Sequence, residues 1–265
     1  ASLKKSGMPP TIFSVKTPAE ILSHCREINE SEEAPLVIVA GGDGTFNAVV
    51  NGLNPGKATL AILPMGTSNV LAAEIGITSI TNGLERIAKG EKHPLSLGLL
   101  ESPGSSHRFV LMAGIGTDGA VVRNVCPLGK RLLKQVAYAL SAIASIFKWD
   151  YSMMEIVTSE KVVSCHSVIV CNASRYGGDF ILAPEVNIFS PELTAICISN
   201  NRRSTYLQLA LELLAGKLYT SNEITRIPAN GIEILGTKPI QLDGDFVGYS
   251  PARLKSIANF ARIIV

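Results

Sequence analysis

The chain lacks a marked excess of either charge, paired cysteines, a long apolar run and a standard phosphate-loop motif, and each absence excludes something. Against 24 Lys and Arg stand 22 Asp and Glu, a formal net charge of +2. That balance, with the basic residues scattered, argues against a nucleic-acid partner. The local exception, Lys130 and Arg131 with Lys134 and Lys148, reads as a solvated helix face, with anionic lipid headgroups as the alternative contact. The five cysteines (Cys25, Cys126, Cys165, Cys171, Cys197) show neither a CxxC pair nor metal-ligand spacing. An odd number without a secretory signal points to reduced, mostly buried thiols in a cytoplasm. The longest uncharged run, Ala58 to Ala73, is interrupted by Pro64 and Gly66 and is too short for a membrane span, so the protein is expected to be soluble or peripheral. With 46% apolar and 17% charged residues the chain is not a disordered one, and its 265 residues suffice for one large domain or two modest ones. No repeat or low-complexity tract is present. The chain does not start with Met, and polar Ala1 to Gly7 suggest an upstream strand that the sequence does not include.

What the chain does contain is a strand, a glycine turn and a helix, twice over. Leu36 to Ala40 is a short apolar run, β-branched in the middle, which predicts a buried parallel strand. Gly41, Gly42 and Gly44 follow; they are expected to take backbone angles that side chains forbid and to let a ligand approach the main chain. Phe46 to Leu53 has apolar residues at helical spacing, with Asn51-Gly52 as a stop. A helix start behind such a turn presents free N–H groups and a positive dipole end, an anion site most often used for phosphate. This is not a Walker A loop, since no Gly-Lys-Ser/Thr follows, nor the dinucleotide fingerprint, since Asn47 replaces the last glycine. Thr59 to Leu63 then predicts a second strand, followed by Pro64-Met65-Gly66-Thr67-Ser68-Asn69 and a helix over Val70 to Glu74. Right-handed crossovers would bring both turns to one sheet edge, where ligands bind in open α/β sheets.

Thr11 to Val15 reads as a strand, and Thr17-Pro18 starts a helix to about Ile28, with Thr17 at the N-cap and Glu20 at N3. Ile80 to Lys89 predicts a helix that closes the first unit. Leu95–Leu100, His107–Ala113, Met153–Thr158, Val162–Cys171 and Leu193–Ser199 then read as strands of an antiparallel second domain. Helices are predicted over Gly129–Phe147, with one apolar stripe, and over Arg202–Ala215, ended by Gly216. Short strands follow from Glu223, the last over Ala261–Val265. Between Ile240-Gln241-Leu242 and Phe246-Val247, Asp243-Gly244 is a strong hairpin signal. Asp243 and Asp245 also put two carboxylates in one short turn, where repulsion must be offset.

Gly41-Gly42-Asp43-Gly44-Thr45 resembles the nucleotide signature shared by diacylglycerol, sphingosine and NAD kinases. Leu63 to Asn69, Gly114-Ile115-Gly116-Thr117-Asp118, Asn172-Ala173 with Tyr176-Gly177-Gly178 and Ala183-Pro184, and Leu242-Asp243-Gly244-Asp245 resemble, in order, further motifs of the lipid-kinase branch. On these stretches the chain is similar to the diacylglycerol kinase and sphingosine kinase-like lipid kinases, bacterial type. The resemblance implies an α/β plus β fold. An N-terminal Rossmann-like domain with a parallel sheet (NAD kinase and phosphofructokinase-like) would span about 1–94 and regain the segment 250–265. A β-sandwich-like lipid-substrate domain would span about 95–249. It also implies Mg²⁺-dependent transfer of the ATP γ-phosphate to a lipid hydroxyl, diacylglycerol or sphingoid-like. Nucleotide binding is expected at Thr17, Gly41, Gly42, Asp43, Gly44, Thr45, Gly66, Thr67, Ser68 and Asn69. Asp43 and Asp118 are the expected metal residues, Asp243 the base and Asp245 its support. The implied setting is the cytoplasm, peripherally at the inner membrane face, with no nucleic acid and with a homodimer left open. Four departures stand out: no Asn-Pro-x-x-Gly motif, Ala48 for a Glu, Val70 for an Asp, and Ser190-Pro191 for Asp-Gly. They leave open a lipid-binding or regulatory homologue with impaired catalysis and an NAD kinase-like small-molecule kinase, and the acceptor lipid is not legible.

Overall fold

The computed structural model describes residues 10–124, 150–178, 180–214 and 223–265. The helix expected over Gly129–Phe147, the basic residues Lys130, Arg131, Lys134 and Lys148, and Cys126 lie outside the described residues, as does Gly216.

Helix α1 (Pro18–Glu30) opens on the predicted capping box: Thr17 Oγ1 accepts from Glu20 N at 3.4 Å and donates to Glu20 Oε1 at 3.0 Å. Strand β1 (Leu36–Gly41), helix α2 (Asp43–Gly52), strand β2 (Thr59–Pro64) and the short helix α3 (Val70–Glu74) follow. Gly52 ends α2 inside the helix, where it makes room for α1: a Cβ there would meet Cys25 Cβ at 2.8 Å. Helix α4 (Ile80–Lys89) is capped by Ser79 at its start and by left-handed Gly90 at its end. Strands β1 and β2 are parallel, with Leu36 opposite Thr59 and Gly41 opposite Pro64. That register brings the two turns that follow to the same end of the sheet.

The next elements are β3 (Lys92–Ser102), β4 (Ser105–Phe109), β5 (Met112–Ile115), helix α5 (Thr117–Asn124), β6 (Met154–Val157), β7 (Val162–Cys165) and β8 (Ser167–Cys171). A two-residue ribbon, β9 (Arg175–Tyr176) with β10 (Phe180–Ile181), leads to β11 (Leu193–Ile198) and helix α6 (Arg203–Leu214). Strands β12 (Ile224–Ala229), β13 (Gly231–Leu235), β14 (Pro239–Leu242), β15 (Asp245–Tyr249) and β16 (Ala252–Ile264) complete the described chain. One sheet has eight strands, ordered β1-β2-β16-β13-β6-β7, with β3 on β16 and β4 on β3. The other is a six-stranded antiparallel sheet, β12-β11-β8-β5-β14-β15. The architecture is therefore α/β followed by a β-sandwich-like half.

Four local expectations are corrected. Residues 11–15 form no strand: Ile12 is 81% exposed, and Phe13 stacks on His24 of α1 with ring centroids 4.1 Å apart, so its contact is a helix and not a sheet edge. Strand β1 is parallel as expected, but it lies at the sheet edge and is only half-buried. The last strand starts at Ala252, nine residues before its expected start at Ala261. A register shift between Ile257 and Ala261, with Asn259 at φ 50°, lets β16 serve β13 antiparallel at one end and β2 parallel at the other. Finally, His107–Ala113 and Val162–Cys171 each split in two, at Val110-Leu111 and at His166. In both cases the chain leaves the eight-stranded sheet and enters the six-stranded one.

The core follows these layers. Phe109, Ile115, Ile156, Val168, Ile234 and Leu254 fill the space between the sheets. A second cluster runs from Cys25 and Phe46 through Leu60 and Leu97 to Met112 and Ile196, so apolar packing is continuous between the two halves. Each such side chain contributes about 1.5–3 kcal/mol when fully buried. The four described cysteines are buried and free of disulfides, in keeping with reduced thiols. Among the described residues no helix is long and apolar enough to cross a membrane.

Candidate active site

The two glycine turns touch. A Cβ on Gly66 would lie 2.6 Å from the Gly42 Cα, and one on Gly42 would lie 3.0 Å from the Gly66 Cα. A Cβ on Gly41 would meet Thr45 at 2.8 Å. None of Gly41, Gly42, Gly44 and Gly66 has a positive φ, so the expected reason for these glycines is corrected from backbone angle to close approach. Gly44 differs: it is exposed, and nothing lies within 4 Å of a Cβ placed there. Its missing side chain leaves open a space that no protein atom fills. Gly42 is the N-cap of α2 without a side-chain cap, so the first N–H groups of this helix remain available to an anion. The second turn is closed on itself, since Asn69 Oδ1 accepts from Gly66 N at 2.7 Å and its Nδ2 donates to Gly66 O at 2.9 Å. Thr67 and Ser68 are exposed beside it, and Thr45 is half-buried. Thr17 has its hydroxyl engaged in the capping box, although the adjacent Pro18 reaches the cleft described below.

Asp43 ties the turns together: Oδ2 accepts from Val70 N at 3.1 Å and Oδ1 from Leu71 N at 3.0 Å. It thus caps α3 from the first turn of α2. Val70, where the resemblance expects an Asp, supplies a backbone donor and a buried side chain.

Asp243 and Gly244 do form the predicted hairpin turn, with φ of 48° and 89° at the two central positions. Yet the Asp243 side chain turns inward. Oδ2 accepts from Val110 N at 2.7 Å, and Oδ1 accepts from Leu111 N and Met112 N at 2.9 Å each. These are the amides where the chain crosses between sheets, which explains why the expected strand His107–Ala113 breaks there. Burial pushes the Asp243 carboxyl up to about 6; the three amides pull it down, and the nearby Asp43 charge adds to the rise. The carboxylate whose charge adds to this rise is thus Asp43, from the other half of the molecule; Asp245, the neighbour in the turn, is exposed.

Asp118, in the first turn of α5, accepts from Tyr176 Oη at 2.5 Å and from Gln241 Nε2 at 2.7 Å. Burial raises its carboxyl, against the pull of both hydrogen bonds. Gly114 is the floor beneath: a Cβ there would overlap Asp118 Oδ2. Asp43 and Asp118, each expected to act on magnesium, have both carboxylate oxygens accepting from protein donors, and the described residues contain no group of three or more His, Cys, Asp or Glu that could hold a metal by themselves.

Three further participants were not singled out from the sequence as site residues, although Tyr176 lies within one of the quoted motifs. Glu74 at the end of α3 accepts from Ser174 N at 3.0 Å and from Ser174 Oγ at 2.8 Å, linking the two halves. Tyr176 and Gln241 hold Asp118. The signal for Gln241 was a polar residue between Ile240 and Leu242 that, at 3% exposure, is as buried as they are. A cleft of about 220 Å³ runs between the halves, with Gly44, Asn47 and Ala48 of α2 on one side and Leu242, Asp245 and Val247 of the hairpin on the other.

An α/β half with two joined glycine turns, facing across a cleft the acidic hairpin of a β-sandwich half, defines a two-domain fold of NAD kinase type. An NAD kinase from Archaeoglobus fulgidus solved in complex with ATP shares that fold, with a TM-score of 0.52 at 13% identity over 100% of this chain and 86% of that one. Residues 1–100 match the family described as the diacylglycerol kinase catalytic domain, and residues 111–265 match the YegS C-terminal NAD kinase beta sandwich-like domain. A diacylglycerol kinase of Staphylococcus epidermidis is 30% identical over 98% of this chain and 83% of that one. The crystal structure of a diacylglycerol kinase from Bacillus anthracis has a TM-score of 0.73 at 21% identity, covering 99% of this chain and 87% of that one. The chain belongs to the diacylglycerol kinase and YegS-like family, whose members are kinases acting on lipid-like substrates.

Proposed function

We propose that the protein transfers the γ-phosphate of ATP to a lipid hydroxyl, diacylglycerol or a sphingoid-like alcohol, with Asp243 as the general base. The observation that carries this reading is the cleft that sets Gly44 of the glycine turn across from Leu242, Asp245 and Val247 of the hairpin in which Asp243 is buried. Magnesium enters with the nucleotide, as Mg·ATP, and the protein needs no cage of its own for it. The uncapped start of α2 holds phosphate oxygens through its N–H groups, helped by the Thr45 and Thr67 hydroxyls. The half that includes β1, β2 and the returning β16 serves the nucleotide; the six-stranded sheet with its hairpin serves the lipid.

Phosphoryl transfer has a loose, negatively charged transition state, so the protein contributes mainly alignment and charge placement. The lipid oxygen attacks the γ-phosphorus, its proton passes to Asp243, and the bond to the bridging oxygen breaks with ADP leaving. A carboxylate offers about four lone-pair sites. Three accept backbone N–H groups, which fixes the group; the fourth is the one this reading assigns to the substrate hydroxyl. A carboxyl poised near 6 is ionised at neutral pH yet is a far better base than an ordinary aspartate. Asp43 supports that basicity through its charge and supports the second turn by capping α3.

The test is labelled ATP with Mg²⁺ and total lipid extract, run beside a parallel tube containing NAD. Label in an organic-phase phospholipid supports the reading. Label in NAD alone, or in neither, overturns it.

A further inference from the structure

The Asp243 turn is not held by its own ladder alone. Gly244 N donates to Gln241 Oε1 at 2.7 Å, and the same amide's Nε2 donates to Asp118 Oδ2 at 2.7 Å. The backbone donor fixes which end of the Gln241 amide is oxygen, so its NH₂ must face Asp118. Tyr176 Oη then holds the other Asp118 oxygen at 2.5 Å. Asp118 and Gln241 sit on closely packed backbone. Helix α5 leans on β14 so closely that a Cβ on Gly119 would overlap Pro239 O, and Gly116 N donates to Pro239 O at 3.0 Å. The bare Gly114 admits the pair, since a Cβ there would also meet Gln241 Nε2 at 2.7 Å.

We propose that Asp118 and Gln241, anchored by Tyr176, are positioning residues that hold the Asp243–Gly244 turn in its working shape, with Asp118 acting through Gln241 and not on a metal. Tyr176 donates to Asp118, Asp118 accepts from Gln241, and Gln241 accepts from the turn. Each link is a single hydrogen bond with a defined donor, so its polarity can be reversed on purpose. The inference rests on the reading of Asp243 as the base, because only then does turn geometry govern turnover. A displacement of about 1 Å at a reacting group can cost about 10²-fold in rate.

The experiment uses Asp118→Asn, Gln241→Glu and their combination in the full chain at pH 8. Gln241→Glu places two buried carboxylates at hydrogen-bond distance and should lower kcat by about 10²-fold, with KM for ATP unchanged. Asp118→Asn alone should be mild, within about tenfold, because the new amide can turn its oxygen to Gln241 while the Tyr176 hydroxyl rotates to accept. In the double variant the amide NH₂ introduced at position 118 donates to the carboxylate introduced at position 241. That carboxylate still accepts from Gly244 N, and the amide oxygen at position 118 still accepts from Tyr176. Turnover should return to within about threefold of the parent, since every bond in the chain is restored. A metal-ligating Asp118 would give the opposite order, with Asp118→Asn severe and the double variant no better. That order overturns the proposal. Amide hydrogen exchange at Gly244 supplies a readout independent of turnover: exchange should quicken roughly five- to tenfold in Gln241→Glu and recover in the double variant. If the parent protein phosphorylates no lipid, the proposed function fails, and Gly244 exchange still decides the chain of contacts. Unchanged exchange in Gln241→Glu overturns it.

Discussion

Replacing Gly44 with Ala separates the two reasons a turn can be built from glycine. A Cβ at Gly44 meets no protein atom within 4 Å, and the residue lies in the first turn of α2 with an ordinary helical backbone. Gly44→Ala should therefore stabilise the empty protein by about 0.4–1 kcal/mol, because alanine loses less chain freedom on folding. Gly66→Ala should do the reverse. Its Cβ would lie 2.6 Å from the Gly42 Cα, a backbone atom that cannot yield, and 2.8 Å from Asn69 Oδ1. Overpacking of that kind costs about 1–3 kcal/mol. The assay is thermal melting with and without Mg·ATP. At about 100 times Kd a nucleotide adds about 2.7 kcal/mol, or roughly 5–10 °C for a chain of this size. If the space over Gly44 belongs to a phosphate, Gly44→Ala should weaken binding at least tenfold. That removes about 1.4 kcal/mol, half of the protection or more, from a protein that melts slightly higher without ligand. A Gly44→Ala variant that keeps the full nucleotide shift would refute the assignment of the phosphate site.

Further expectations concern the acidic groups and the contact between the halves. Asp243 carries its proton in the fold but not in the unfolded chain between its ordinary 3.8 and about 6, so stability should fall as pH rises through that window, while kcat climbs as the base ionises. Chemical denaturation and turnover measured on one pH series check both signs; a kcat flat from pH 5 to 7 would exclude Asp243 as the titrating base. Asp43→Ala should cost about 0.5–2 kcal/mol through the lost cap on Val70 and Leu71. It should also move the acid limb of the kcat profile to lower pH, since a negative neighbour of Asp243 is gone, and an unmoved limb would deny that coupling. Glu74→Ala and Ser174→Ala, alone and combined, should show a coupling of about 0.5–3 kcal/mol in urea denaturation, whereas simple additivity would mean that this contact contributes nothing between the halves.

The sequence was most legible where local pattern and tertiary need coincide. Val70–Glu74 and Ile80–Lys89 are helices between the very residues expected, and β1 and β2 with their turns lie parallel as the repeated pattern implies. Asp243-Gly244 was legible as a hairpin, and its turn role and inward carboxylate prove compatible. What was not legible depends on partners remote in the chain. Asp43 caps a helix that begins 27 residues later, and Gln241 meets Asp118 across 123 residues, neither with a local signature. The split of His107–Ala113 was hidden because both halves are apolar; the break is set by three amides that turn to a carboxylate 131 to 133 residues away. Thr11–Val15 has the composition of a strand, but no strand of the described chain pairs with it, and composition alone does not create a ladder.

The most direct test of the account is the turnover of Asp243→Asn with Mg·ATP and the phosphorylated lipid class. The amide can keep its oxygen on Leu111 N and Met112 N but sets an NH₂ against Val110 N, so the variant should lose about 1–3 kcal/mol and still fold. Its kcat should fall by about 10²–10⁴-fold with KM for ATP unchanged. A folded Asp243→Asn protein with near-parental turnover would contradict the central claim and leave this residue as the turn of a hairpin.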